Sequence, residues 1–186
     1  MMTHSIVLKK IVTQVSKSLV FSTFIFSTFL FNSQANAGVW TKERMKVEES
    51  VSDRIEEVLA LAAEFHQIRV SKDTSKTIKL ANEIASKLGS VAILTQKNSS
   101  VQSLHITKIV QSARSSIEMF KEDPMAKNAS AELKDFFKDI VQITQVFDVK
   151  KYKIFFCPQD RALWLQTLPK AQNPVNLSLR NCGKPV

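Results

Sequence analysis

Between residues 42 and 147 the chain holds one glycine, Gly89, and one proline, Pro124. So few chain breakers over so long a stretch favour helices, because glycine and proline interrupt helices at the largest cost. Apolar residues in the stretch recur at steps of three and four, the spacing that gathers side chains on one helical face. A first helix is expected over 42–68, with Val47, Val51, Ile55, Val58, Ala62 and Phe65 inward and Glu48, Glu49, Glu56 and Glu57 on other faces. Ser71 to Asp73 offers the N-cap of a second, with Ile78, Ala81, Ile84, Ala85 and Leu88 inward. Gly89 is its candidate C′ residue, and the Val91 to Leu94 run is an alternative extension. A loop at Lys97-Asn98-Ser99-Ser100 precedes a third helix over 101–121, faced by Ile106, Ile109, Val110, Ala113, Ile117 and Phe120. Asp123-Pro124 stops it, since proline disfavours helix in the residue before it. Asn128 or Ser130 caps a fourth helix running to Phe147, with Leu133, Phe136, Phe137, Ile140, Val141, Thr144 and Phe147 inward. Four amphipathic helices joined by short loops are satisfied by an up-and-down four-helix bundle.

Residues 152–186 differ in kind. They hold both cysteines, the only tyrosine, Trp164 and four of the five prolines. Tyr152 to Phe156 is apolar and aromatic, a composition that packs well on a pleated surface. Pro158-Gln159-Asp160-Arg161 reads as a turn and Ala162 to Gln166 as the returning strand, so a small β-hairpin is expected. Pro169 and Asn173-Pro174 exclude regular structure beyond it. Three chemistries are open to Cys157 and Cys182: a structural disulfide, a soft-metal site, and thiol–disulfide exchange. The disulfide is the preferred reading for an exported chain. Two thiolates alone leave a soft-metal site short of ligands, and no C-x-x-C pattern supports exchange.

Export is read from residues 1–37. His4, Lys9, Lys10 and Lys17 lie in an acid-free n-region, 19–31 is apolar, and Ala35-Asn36-Ala37 before Gly38 has the pattern of a signal-peptidase site. The apolar run falls short of the ~20 residues that span a bilayer; an uncleaved anchor is the alternative. The chain's formal charge is +9, of which the leader lysines supply three, leaving +6 from Gly38 onward. Lysines and arginines are dispersed rather than clustered, which speaks against nucleic acid and for a solvated basic surface or attraction to anionic lipid or cell-wall polymer. Residues 38–151 are expected to form the bundle and 152–186 a hairpin and loop packed on it.

Phe156-Cys157-Pro158, Trp164-Leu165, Asn173-Pro174 and Cys182-Gly183, in this order and spacing, resemble the end of domain-of-unknown-function family 3347. The helical part is similar at 81–88. The resemblance covers about residues 47–186, with its specific motifs in the tail, and singles out Cys157, Pro158, Trp164, Asn173, Pro174, Cys182 and Gly183. That family comprises exported bacterial proteins and a C-terminal domain on adaptor subunits of copper/silver efflux pumps. The resemblance implies an accessory role around heavy-metal efflux or metal stress, an envelope or efflux-pump protein partner, and copper or another soft metal as a ligand. This chain departs from the family pattern where methionines are expected: Gln159 follows Cys157-Pro158, and Leu179 stands three before Cys182. Val175-Asn176-Leu177 replaces the family's Tyr-Phe-Gly.

The remaining candidates are few. His66 and His105 are expected at the surface or as caps, and join Cys157 and Cys182 as metal ligands only if the cysteines are reduced. Neither sits in an H-E-x-x-H pattern. Met45, Met119 and Met125 read as packing residues, and Asp123, Asp135 and Asp139 as solvated helix charges. No nucleophile elbow, P-loop or dinucleotide fingerprint occurs. The expectation is a non-enzymatic periplasmic or secreted protein with no resident cofactor, no nucleic-acid partner and no stable membrane span after cleavage. Its alternative role is a structural or protein-interaction domain of the bacterial envelope without metal.

Overall fold

The computed structural model describes residues 48–97, 100–126 and 128–186. The leader, Met45 and the expected first turns of helix one lie outside the described residues. Four helices follow in order: α1 (Glu49–Ser71), α2 (Thr74–Gln96), α3 (Val101–Glu122) and α4 (Ala129–Val146). Val47 also lies outside the described residues; from Val51 onward the expected inward face of α1, and that of α3, are buried as read from their spacing. On α2, Leu80 is buried while Ile78 is half-buried at the edge of the face.

The helix ends follow local chemistry. Asp73 caps α2, its carboxylate accepting from the Lys76 amide at 3.0 Å, and Ser100 caps α3, accepting from the Ser103 amide at 3.1 Å. These contacts satisfy amides that the helix itself leaves unpaired. At α4 the expected side-chain cap is not made. Asn128 occupies the N-cap position without a side-chain cap bond, and the Ser130 hydroxyl instead donates to the Val175 carbonyl at 3.2 Å. Gly89 does not end α2, which runs on through Val91 to Leu94 as far as Gln96. A Cβ at Gly89 would lie 3.1 Å from the Arg114 guanidinium, so the glycine gives room for a side chain of α3 rather than a left-handed turn.

The tail forms the expected hairpin and one strand more. β1 (Lys153–Cys157) pairs antiparallel with β2 (Ala162–Gln166), placing Phe155 opposite Trp164 and Cys157 opposite Ala162. The short β3 (Lys184–Pro185) lies on the other edge of β1, with Phe156 opposite Lys184. A single 3-10 turn covers Leu177–Leu179. The prolines thus exclude long elements after Pro169 but not short ones. Pro185 lies on an edge strand, where a missing N–H is tolerated.

Successive helices are neighbours, while α1 and α4 approach each other little; β2 packs against both. The sheet therefore covers the α1–α4 seam. Tyr152, Phe155, Cys157, Trp164, Leu165 and Val175 belong to the same buried cluster as the helix interiors. Phe65 of α1 anchors that cluster in edge-to-face or tilted contacts with Phe120, Phe136 and Phe137, at centroid distances of 5.8, 5.9 and 6.0 Å. Such pairs add to the burial of the rings themselves. No helix among the described residues is long and apolar enough to cross a membrane.

Candidate functional site

Cys157 and Cys182 are joined, with Cα atoms 5.2 Å apart and a sequence separation of 25. The bond ties the end of β1 to the segment before β3, and Cys157 is fully buried beneath it. Beyond the strands, the loops of the tail are held by side chains. Trp164 is fully buried, stacks on Phe155 at 6.0 Å, and donates its indole N–H to Gln166 Oε1 at 2.8 Å. The Gln166 amide donates to the Leu168 and Lys170 carbonyls at 2.6 and 2.7 Å, so one glutamine closes the loop containing Pro169. Asn173 repeats the device: its amide donates to Asp160 Oδ2 at 2.9 Å, and its Oδ1 accepts from the Val175 and Asn176 backbones. Both residues are fully buried, where an unpaired amide is costly and a fully paired one fixes a unique conformation.

Gly183 completes the clasp. A Cβ there would lie 2.7 Å from the Trp164 ring and 3.0 Å from Ala171 Cβ. Trp164, Asn173, Cys182 and Gly183 thus work as one packing unit, with Pro158 and Pro174 in its turns. Gly183→Ala is expected to destabilise the chain by about 1–3 kcal/mol through overpacking, measured as a lower denaturant midpoint.

His66 departs from its surface or capping expectation. It is fully buried on the inner side of α1, and its Nε2 lies 2.6 Å from the Gln172 carbonyl. A carbonyl only accepts, so Nε2 carries the proton, and Nδ1 has no hydrogen-bond partner among the described residues. Burial pushes the imidazole pKa down from 6.5, opposed by the bond to Gln172. The unfolded chain therefore takes up a proton at a higher pH than the folded one. Stability is retained above 6.5, falls as pH drops below it, and levels off once the folded ring also protonates. Denaturation series between about pH 5 and 8 should show this slope, and His66→Gln should remove it while keeping a donor for Gln172.

His105 is exposed on α3. The structure does not bring His66, His105 and the cysteines into one site. Among the described residues no group of three or more His, Cys, Asp or Glu side chains could hold a metal ion. The donor chemistry fits a soft metal poorly: both sulfurs are spent on each other, one histidine is locked on a carbonyl, and Gln159 and Leu179 offer no thioether. Met119 and Met125 are exposed rather than packed. Asp123 and Asp135 are exposed as expected, but Asp139 is buried, and burial raises its pKa against a hydrogen bond from Ser112.

A cleft of about 310 Å³ lies between the start of α1 and the α4–β1 connection, lined by Ser52, Ile55, Glu56 and residues 147–152. Burial, then the charge of Glu56, holds the Tyr152 hydroxyl above its usual pKa. Its polar lining mixes both charge signs.

Sequence reasoning placed Gln166 in a strand and Asp160 in a turn without a role in holding the tail, and took His66 as a surface or capping residue rather than a buried one. The one available signal was polar residues within or beside strongly apolar runs. No family model, curated protein or solved structure matches the chain.

Proposed function

We propose that this chain is an exported, non-enzymatic accessory module of the bacterial envelope that acts through contact with a protein partner. Its leader pattern supports export, and a buried disulfide suits an oxidising compartment. The observation that carries the reading is the clasp: Cys157, Trp164, Asn173, Cys182 and Gly183 are spent on holding the tail in one conformation, and none is left presenting a reactive group. The tail's resemblance to domain-of-unknown-function family 3347 supplies the setting, which is heavy-metal efflux or metal stress. Any part in metal handling then runs through the partner, because the oxidised tail has no thiolate or thioether to offer.

Deletion of the gene tests the setting. Increased sensitivity to copper or silver, reversed by the wild-type chain, is expected. Unchanged sensitivity would remove the metal setting and favour the second reading, an envelope interaction domain without a metal role. The poor donor set is the specific observation on the side of that second reading.

A further inference from the structure

We propose that the adjoining ends of α2 and α3, where α2 finishes and α3 begins, are a membrane-docking tip that seats on an anionic phospholipid surface. From residue 84 to residue 117 the chain has no aspartate or glutamate, while Lys87, Lys97, Lys108 and Arg114 fall within that stretch. Its described residues fall mainly in the second half of α2 and in α3 as far as Ile117. Thr107 and Thr95, joined hydroxyl to hydroxyl at 2.6 Å, hold the two helix ends side by side.

Three large apolar side chains stand in solvent at this end: Ile93 at 60 % exposure, Val101 at 83 % and Leu104 at 49 %. Their spacing gives them exposed basic neighbours. Ile93 and Lys97 are four apart on α2, and Val101, Leu104 and Lys108 follow at steps of three and four on α3, so each set shares a helix face. Lys97 and Lys108 form no ion pair among the described residues, unlike Lys87, which is bonded to Glu57, and Arg114, bonded to Glu118.

Apolar side chains beside unneutralised lysines, with no acid in the surrounding sequence, match a surface whose headgroups are negative and whose interior is apolar. Met119 and Met125 lie close in sequence to Glu118, Glu122 and Asp123. Leu168 and Val186 also stand exposed in an acid-free stretch, 161–186, but singly on separate segments rather than as a group on two adjoining helix ends. The contact would be peripheral and salt-sensitive. It does not depend on a metal role; it would hold the module against the membrane while leaving the clasp side open to a protein.

The test is flotation of the chain beginning at Gly38, which contains the compact unit Thr41–Val186. The vesicles are phosphatidylglycerol mixed with phosphatidylcholine, or phosphatidylcholine alone. Binding is expected to the mixed vesicles only and to weaken with salt. Lys97→Glu with Lys108→Glu should lower the partition coefficient by at least about tenfold. Ile93→Ser, Val101→Ser and Leu104→Ser together should lower it while leaving the salt dependence of the remaining binding. Lys134→Glu with Lys138→Glu on α4 should change it little. Equal binding to both vesicle types, no binding, or equal loss from the α2–α3 and α4 charge reversals would overturn the proposal. A photo-crosslinker at position 104 that labels protein rather than lipid in native envelopes would also overturn it, giving the tip a protein occupant.

Discussion

Trp164→Ala is expected to cost about 3–5 kcal/mol of folding stability, the range for truncating a fully buried large aromatic. The residue is 0 % exposed, and three separate arrangements end on it. Its ring stacks on Phe155, its N–H holds the Gln166 side chain that closes the following loop, and its edge forms the surface on which Gly183 lies. Because β2 packs against both α1 and α4, the loss should reach the helices as well as the tail. Against a total stability of roughly 5–15 kcal/mol for a domain, such a loss leaves a marginal fold. Urea unfolding followed by helical circular dichroism should show one transition at a much lower midpoint. A tail that unfolded separately, with the helical transition unmoved, would show that the sheet is an appendage.

The second large effect belongs to the disulfide. Closing a loop with a sequence separation of 25 stabilises a chain by about 3–4 kcal/mol in the chain-entropy model. Replacing Cys157 and Cys182 together by serine should cost an amount of that order, and its distribution should differ from that of Trp164→Ala. β1 and β2 are paired over five residues and buried in the common core, so the hairpin and helices should persist. β3 and the 3-10 turn have two paired residues and few buried side chains, so they depend most on the bond. Hydrogen exchange should quicken mainly over residues 173–186, with the centres of α1 to α4 remaining protected. Uniform quickening would mean that the bond stabilises the whole domain as one unit.

These contrasts show which parts of the fold sequence could reveal. Helix faces are a local property. Ile106, Val110, Ala113 and Ile117 must lie together whatever they pack against, so periodicity is enough to find them. The hairpin was legible for the same reason, from an aromatic run, a turn and a second run. What could not be read was decided by distant residues. Gly89 has the composition of a helix end, yet its role is set by Arg114 on another helix. Ser130 has the chemistry of a cap, yet it serves Val175, which sits 45 residues away. His66 is polar and near a helix end, but Gln172, 106 residues on, supplies the carbonyl that makes its burial tolerable. β3 escaped notice because two residues carry no period. The clasp itself was half legible: its cysteines, tryptophan and glycine were conspicuous, whereas Gln166 and Asp160 become meaningful only once the loop is folded around them.

The claim at the centre of this account is that the tail is a structural clasp and not a soft-metal site. Competition for Cu(I) against a coloured chelator, with oxidised and reduced samples in parallel, tests it most directly. The oxidised chain has both thiols joined, and neither Gln159 nor Leu179 offers the thioether sulfur that suits Cu(I). It should therefore leave the chelator's copper in place. One-to-one withdrawal of copper by the oxidised chain would contradict the claim and direct attention to His66, His105 or Met119. Withdrawal only after reduction would contradict it differently, making Cys157 and Cys182 ligands whose resting state is the disulfide.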